Sequence, residues 1–579
     1  MLLLRSLSLL LVVSACPALS ASLGPNSNSP SISLGQATVV GSSANGIESF
    51  RALRYGKAPV GKLRFMPPVK ADAPTGVLQA TQNPPSCRQM PLIQPPANPY
   101  TDAINKFFNS QNDSAFAQAF ARLNAPTNGG QRGSEDCLFL NVHRPAGTKR
   151  DAKLPVLFWM YGGGFQFGSL DIYEPTSLIQ RSVSQKQPLI YVSINYRVAA
   201  YGFLGGPEIK SAGSGNMGLR DQRLAMEWVH DNIAAFGGDP SKVTIWGESA
   251  GAISAGLHLV SRGQTSSKGL YRAAIMESGS PYGLAKTEDV TRPIAVLSGA
   301  AGCNSAPAGR LACLQALSAD ALDNAMNQVP GLGTWSGVTL AWPPTVDGDF
   351  IPDTPDNLVA QGKFNQDVAI INGDNEDEGT ILTTPAVTPN TTDDAGFKRW
   401  VQEVLYTDVS EADYQQLAKY YPNNPADGSP YGTGLYGALS SQNKRVASIF
   451  GDATFQAPRK RLLKEVQKYQ PRNTFSYNFR GFKYVFLIGS FHASELLYTY
   501  GFVNTRLTEE FQSRFIAFVS TLNPNFNNGQ LAWPVYGQDR KVLTLDELTT
   551  TVQPDNQRDE PQAFLGSLAF RGIGPKYRI

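Results

Sequence analysis

Five continuous apolar runs punctuate the middle of the chain, at residues 154–161, 188–194, 243–246, 273–276 and 368–371. Runs of this length without alternation suit strands buried on both faces, as in parallel sheets. Stretches of helical spacing lie between them, among them 219–236 and 252–260. Strand and helix alternating in this way predict an α/β architecture, a large and mainly parallel central sheet with helices on both faces. No internal repeat or linker divides these stretches.

The pattern upstream is different. Residues 39–55 read as strand, turn and strand, with the turn at 42–46, and 55–67 read as a loop punctuated by Pro and Gly. Residues 101–123 carry Ile104, Phe107, Phe108, Phe116, Ala119, Phe120 and Leu123 on one side of a helix interrupted near Gln111. Such a face either packs on the core or forms a lid that covers a site until it meets lipid.

Composition narrows the class. Of 579 residues, 42% are apolar and 17% charged, which describes a globular chain with ample core. The net charge of +3 is spread without single-sign runs, so neither nucleic acid nor an anionic membrane is an expected partner. Residues 1–20 have the form of a signal peptide: Arg5, a short apolar core, and small residues near Ser20 and Ala21. That core is well short of the roughly 20 residues needed to span a bilayer, and no later segment is long and apolar enough either. A secreted, extracellular protein without a transmembrane segment is expected, with residues 21–579 as one domain. Cys16 leaves with the signal, and Cys87, Cys137, Cys303 and Cys313 remain, an even number suited to an oxidising compartment. Of the three pairings, nearest neighbours (Cys87–Cys137, Cys303–Cys313) are preferred. Sequons at Asn112 and Asn390 are compatible with glycosylation.

The candidate chemistry centres on Gly247-Glu248-Ser249-Ala250-Gly251. A strand precedes it and a helix follows. Glycines flanking the serine permit a turn tight enough to hold its hydroxyl clear of the sheet. A lone Gly-x-Ser-x-Gly in a chain with 54 glycines would be unremarkable; here its context makes it a nucleophile elbow.

A serine hydroxyl needs a base within hydrogen-bond reach. The chain has four histidines. His143 falls in a strand-like run, and His230 and His258 fall in helices, which leaves His492, in a loop after an apolar run. The base in turn needs a carboxylate, placed between serine and histidine in chain order for this kind of elbow. Asp374, Glu376, Asp377 and Glu378 follow the 368–371 run, and spacing alone does not choose among them. The oxyanion formed on attack wants preorganised amides, each worth about 3 kcal/mol. Gly162-Gly163-Gly164 directly after the 154–161 run, with the amide of Ala250, could supply them.

With these residues in place the chain resembles the type-B carboxylesterase/lipase family, the cholinesterase-like branch of the α/β-hydrolases. Within it, secreted fungal lipases and sterol esterases look nearest. The resemblance runs through Leu63-Arg64-Phe65, 135–142 (Glu-Asp-Cys-Leu-Phe-Leu-Asn-Val), Asn195-Tyr196-Arg197, Gly237-Gly238-Asp239-Pro240 and the Ser249 motif. It implies Ser249 as nucleophile, Glu378 as acid, His492 as base, and Gly163, Gly164 and Ala250 as oxyanion hole. It also implies both disulfides, with Cys87–Cys137 bracketing a lid, and an ion pair between Arg64 and Glu135. The bracketed loop is longer and richer in proline than is usual in the family, and 88–136 contains no tryptophan, which disfavours quaternary-ammonium esters.

The expected activity is hydrolysis of small-molecule or lipid esters through an acyl-enzyme, with neither cofactor nor metal, the lid offering a route to a lipid–water interface. A small-substrate carboxylesterase and, from another class, a non-catalytic adhesion module are the rival expectations.

Overall fold

The computed structural model describes residues 29–92, 98–110, 133–262, 269–281, 283–469, 473–526 and 529–573. Residues 1–20, expected to be a signal peptide, Asn112 and the second half of the helix expected at 101–123 lie outside them.

The strands are β1 (Ser31–Leu34), β2 (Gln36–Val40), β3 (Ser42–Ala44), β4 (Ile47–Arg54), β5 (Thr75–Gln79), β6 (Phe139–Pro145) and β7 (Leu154–Met160). They continue as β8 (Ile190–Ile194), β9 (Gly238–Glu248), β10 (Ala273–Glu277), β11 (Ala369–Asn375), β12 (Thr474–Phe479), β13 (Lys541–Leu545) and β14 (Thr550–Pro554). Among the described residues, one sheet has the order β14-β13-β12-β11-β10-β9-β7-β8-β6-β4-β3. From β13 across to β8 neighbours pair in parallel, while β14 at one edge and β6, β4 and β3 at the other pair antiparallel. A small separate sheet holds β1, β2 and β5.

Every position of β8, β10 and β11 is buried, so both faces of the sheet centre are covered. On one face Trp159 of β7 and Trp246 of β9 meet edge to face at 4.5 Å, and Trp246 packs on Tyr500 and on Phe515 of helix Arg506–Thr521. Helix Ala250–Val260, buried along its whole length, packs along β9 and β10.

Several expected boundaries shift. The turn expected at 42–46 is strand β3 followed by a reversal at Asn45 and Gly46, with φ of 53° and 76° as a two-residue hairpin turn demands. The 219–236 helix is Met217–Asn232, then a 3-10 turn Ile233–Phe236 that stops at Gly237 in the left-handed region. In the bracketed loop, helix Pro99–Ser110 is present and buries Tyr100 and Ile104. Strand β12 was not expected from the apolar pattern because Ser476 and Asn478 interrupt it. It is nevertheless internal to the sheet, with Ser476 Oγ accepting from Arg459 at 2.8 Å.

Both disulfides pair as preferred, Cys87–Cys137 and Cys303–Cys313. Arg64 and Glu135 meet at the neck of the first. Among the described residues no helix is long and apolar enough to cross a membrane.

Candidate active site

Ser249 sits between the end of β9 and helix Ala250–Val260 with φ 54° and ψ −121°. Non-glycine residues rarely occupy that region, and holding one there costs about 1–3 kcal/mol, compensated by its surroundings. Its amide donates to the Glu277 carbonyl at 2.9 Å, tying the elbow to β10. A Cβ on Gly247 would lie 2.3 Å from the backbone of Gly251, so a side chain there would force the turn open.

His492 arrives from the segment after β12. Its Nε2 lies 2.9 Å from Ser249 Oγ, and its Nδ1 lies 2.6 Å from Glu378 Oε2. The loop carrying His492 and the turn carrying Glu378 are joined by a parallel bridge between Asp377 and Phe491.

The four neighbouring acids sort by partner. Asp374 Oδ2 accepts from Arg459 at 2.8 Å, and Glu376 pairs with Lys483 and, at 3.3 Å, with Arg480. Asp377 accepts from the amides of Tyr431 (2.9 Å) and Ser490 (3.0 Å). Glu378 has one oxygen on the Asn375 amide at 2.7 Å and the other on the imidazole. Of the four, only Glu378 hydrogen-bonds His492.

Burial sets the electrostatics. It lowers the His492 imidazole to about 4, against the pull of Glu495 and Asp374, so the ring is neutral at pH 7. Burial also pushes Glu378 up, opposed by the Ser278 hydroxyl and the Asn375 amide. With Glu378 ionised, a neutral ring bonded to it donates Nδ1–H, which leaves the Nε2 lone pair facing the Ser249 hydroxyl.

Three further buried carboxyls surround the pair, and sequence reasoning passed over them. Glu248 lies 3.2 Å from His492 Nε2, Glu277 accepts from Trp246 Nε1, and Glu495 accepts from Ser278 Oγ at 3.1 Å and from Asn375 Nδ2. Burial and mutual repulsion raise Glu248 and Glu277 well above the carboxylate range, and Glu495 to about 7. A usable signal existed: Glu248 adjoins Ser249, and Glu495 lies three positions past His492.

The glycine loop after β7 lies directly against the serine. A Cβ on Gly162 would stand 2.9 Å from Ser249 Cβ. Gly163 (φ 97°) and Gly164 (φ 59°) take left-handed conformations, and a Cβ on Gly163 would lie 2.3 Å from the Phe167 carbonyl oxygen. Ala250, first in its helix, has an amide with no intrahelical acceptor.

The remaining histidines stand elsewhere. His143 bonds Ser49 at 2.9 Å and His258 bonds Gln222 at 2.9 Å, both buried, while His230 is exposed beside Asp231. Among the described residues no group of three or more His, Cys, Asp or Glu side chains could hold a metal ion.

This site can be set beside known proteins. A sequence model of the carboxylesterase family matches residues 28–564. The chain is 36% identical over 546 residues to a secreted triacylglycerol lipase of Gibberella zeae, covering 92% of this chain and 89% of that one. It is 37% identical over 537 residues to Lipase 4 of Diutina rugosa, covering 90% and 92%. In three dimensions it is similar to EstA of Aspergillus niger, with a TM-score of 0.78 at 26% identity, covering 94% of this chain and 98% of that one. The α/β-hydrolase fold, the family match across most of the chain and these relatives converge: this chain belongs to the carboxylesterase family and is a carboxylic ester hydrolase.

Proposed function

We propose that Ser249, His492 and Glu378 hydrolyse esters through an acyl-enzyme, on substrates with apolar acyl chains. The observation that carries this reading is the continuous chain of hydrogen-bond distances, 2.9 Å from Ser249 Oγ to Nε2 and 2.6 Å from Nδ1 to Glu378 Oε2. Nε2 takes the hydroxyl proton as Oγ bonds to the ester carbonyl carbon. The amides of Gly163, Gly164 and Ala250 receive the oxyanion, and the imidazolium returns its proton to the departing alkoxide. Water then repeats the sequence in reverse roles and releases the acid.

The substrate class rests on neighbouring side chains and on the relatives. Leu340 and Leu332 line the approach to Gly164, with atoms 2.9 and 3.5 Å from where a Cβ on that glycine would stand. The relatives named above include lipases, one of them a triacylglycerol lipase. In this reading residues 1–20 direct secretion, residues 21–579 form one catalytic domain, and the loop between Cys87 and Cys137 engages a lipid–water interface.

Ser249→Ala tests the chemistry: turnover should fall by about 10⁶-fold. Activity near that of the wild type would remove Ser249 from the mechanism. A panel running from soluble short-chain esters to emulsified triacylglycerol and sterol esters tests the substrate class, and activity confined to soluble esters would contradict the lipase reading.

A further inference from the structure

Between helices Asn443–Gly451 and Ala457–Val466 the chain takes one π-helical turn, Asp452–Gln456, without leaving the helical region. Its cause is local. Pro458 brings no amide to the helix, and its ring crowds the carbonyl four residues back, so the ladder opens by one residue there. Such bulges re-aim the side chains they carry.

Two consecutive side chains of this turn reach the two halves of the candidate site. The Gln456 amide nitrogen donates to the carbonyls of Asn375 (3.0 Å) and Glu376 (3.2 Å), the backbone just ahead of Glu378. The Phe455 ring lies against the His492 imidazole, with centroids 4.5 Å apart. The same helix presses on the far side of the acid turn, where a Cβ on Gly379 would lie 2.0 Å from the Ala447 carbonyl oxygen. The turn itself is pinned from outside. Buried Asp452 accepts from Arg558 (3.0 Å), Gln562 (2.7 Å) and the Tyr421 hydroxyl (3.0 Å).

We infer that this π turn is a positioning clamp, in which Gln456 sets the height of the acid turn and Phe455 sets the tilt and dryness of the base. The inference rests on the reading of Ser249, His492 and Glu378 as the catalytic set. Neither clamp residue touches the reacting atoms; both act through groups that do. The ionisable groups facing the imidazole are Glu378 from the acid turn, Glu248 beside Ser249, Glu495 from its own segment and Asp374 from β11. Phe455 is the apolar cover among them, and it keeps water from solvating an imidazolium.

The two residues make separable predictions on a soluble short-chain ester. Gln456→Leu removes the donor, so kcat should fall by about 10- to 100-fold with KM little changed, the signature of a misplaced catalytic group. Phe455→Ala admits water to the ring, so the acid limb of kcat/KM should move up toward 6.5, and Phe455→Tyr should restore the wild-type limb. Thermal unfolding identifies variants that fail to fold, for which Gln456→Met and Phe455→Leu take their places. Folded variants with wild-type kcat and an unmoved acid limb would overturn the clamp. Ser249→Ala and His492→Ala, run in parallel, separate the two readings: if those stay active the catalytic set itself is wrong. If they are inactive while the clamp variants behave as wild type, the clamp alone is wrong.

Discussion

Arg64 grips Glu135 with two parallel hydrogen bonds, Nε to Oε1 and Nη2 to Oε2, both 2.7 Å, at the neck of the Cys87–Cys137 loop. Its remaining nitrogen donates to the carbonyls of Leu314 (3.1 Å) and Leu317 (2.6 Å), beside the second disulfide. One guanidinium thus ties both cystine loops to the body of the protein. Both partners are nearly buried, and removing one leaves a charge without its counterion. Arg64→Ala should cost about 3–5 kcal/mol in urea unfolding; a loss under about 1 kcal/mol would show that the pair is not holding the loops.

Gly251 approaches β7 so closely that a Cβ on it would stand 2.0 Å from the Met160 carbonyl oxygen. Backbone cannot yield there as a flexible side chain could. Gly251→Ala should therefore push the elbow helix off the sheet and displace Ser249, lowering kcat by about 100-fold or more. Steady-state kinetics and a serine-directed covalent probe would read it, and unimpaired labelling with full activity would contradict the packing argument.

Glu378→Gln keeps shape and removes charge. The amide can turn its NH2 to Nδ1 and so favour the wrong tautomer, and it cannot balance an imidazolium. By analogy with the acid-to-amide change of a triad aspartate elsewhere, kcat should fall by about 10⁴-fold with the fold intact. A drop of less than tenfold would point to another carboxyl as the partner of His492.

The pH profile follows from desolvation. As the base of the proposed mechanism His492 must be neutral to accept the serine proton, and burial favours the neutral ring, holding it near 4. Activity should therefore be present above that value and be lost as the pH falls through it. The midpoint of kcat/KM on a soluble ester should lie well below the 6.5 of a solvated histidine. Brief exposure to each pH and return to neutrality separates titration from unfolding. A midpoint at or above 6.5 would mean that water reaches the ring.

What could be read from the chain divides along a physical line. Strands β7 to β11 were visible because burial on both faces demands unbroken apolar runs, and the elbow was visible because its turn demands Gly247 and Gly251. Strand β12 was not, since Ser476 is tolerated inside the sheet only through its bond to Arg459, a partner set by tertiary packing. The acid turn shows the same limit. Four carboxyls lie within five positions, and what distinguishes them is which cation or amide each one meets. Those partners come from residues about 50 to 115 positions away in the chain or from the local turn, beyond the reach of any periodicity. The π turn at Asp452–Gln456 was equally hidden, because a proline inside a helical pattern announces an irregularity without saying what it aims at.

The bridge between Asp377 and Phe491 has a last consequence. Glu378 and His492 are 114 positions apart, yet the segments that carry them are stitched together side by side, so their spacing is decided locally. The intervening excursion leaves from and returns to nearly one point. On the way it supplies the internal strand β12 and the π turn that packs against both ends. A chain break anywhere in that excursion would therefore leave the two stitched ends with a backbone tie of their own.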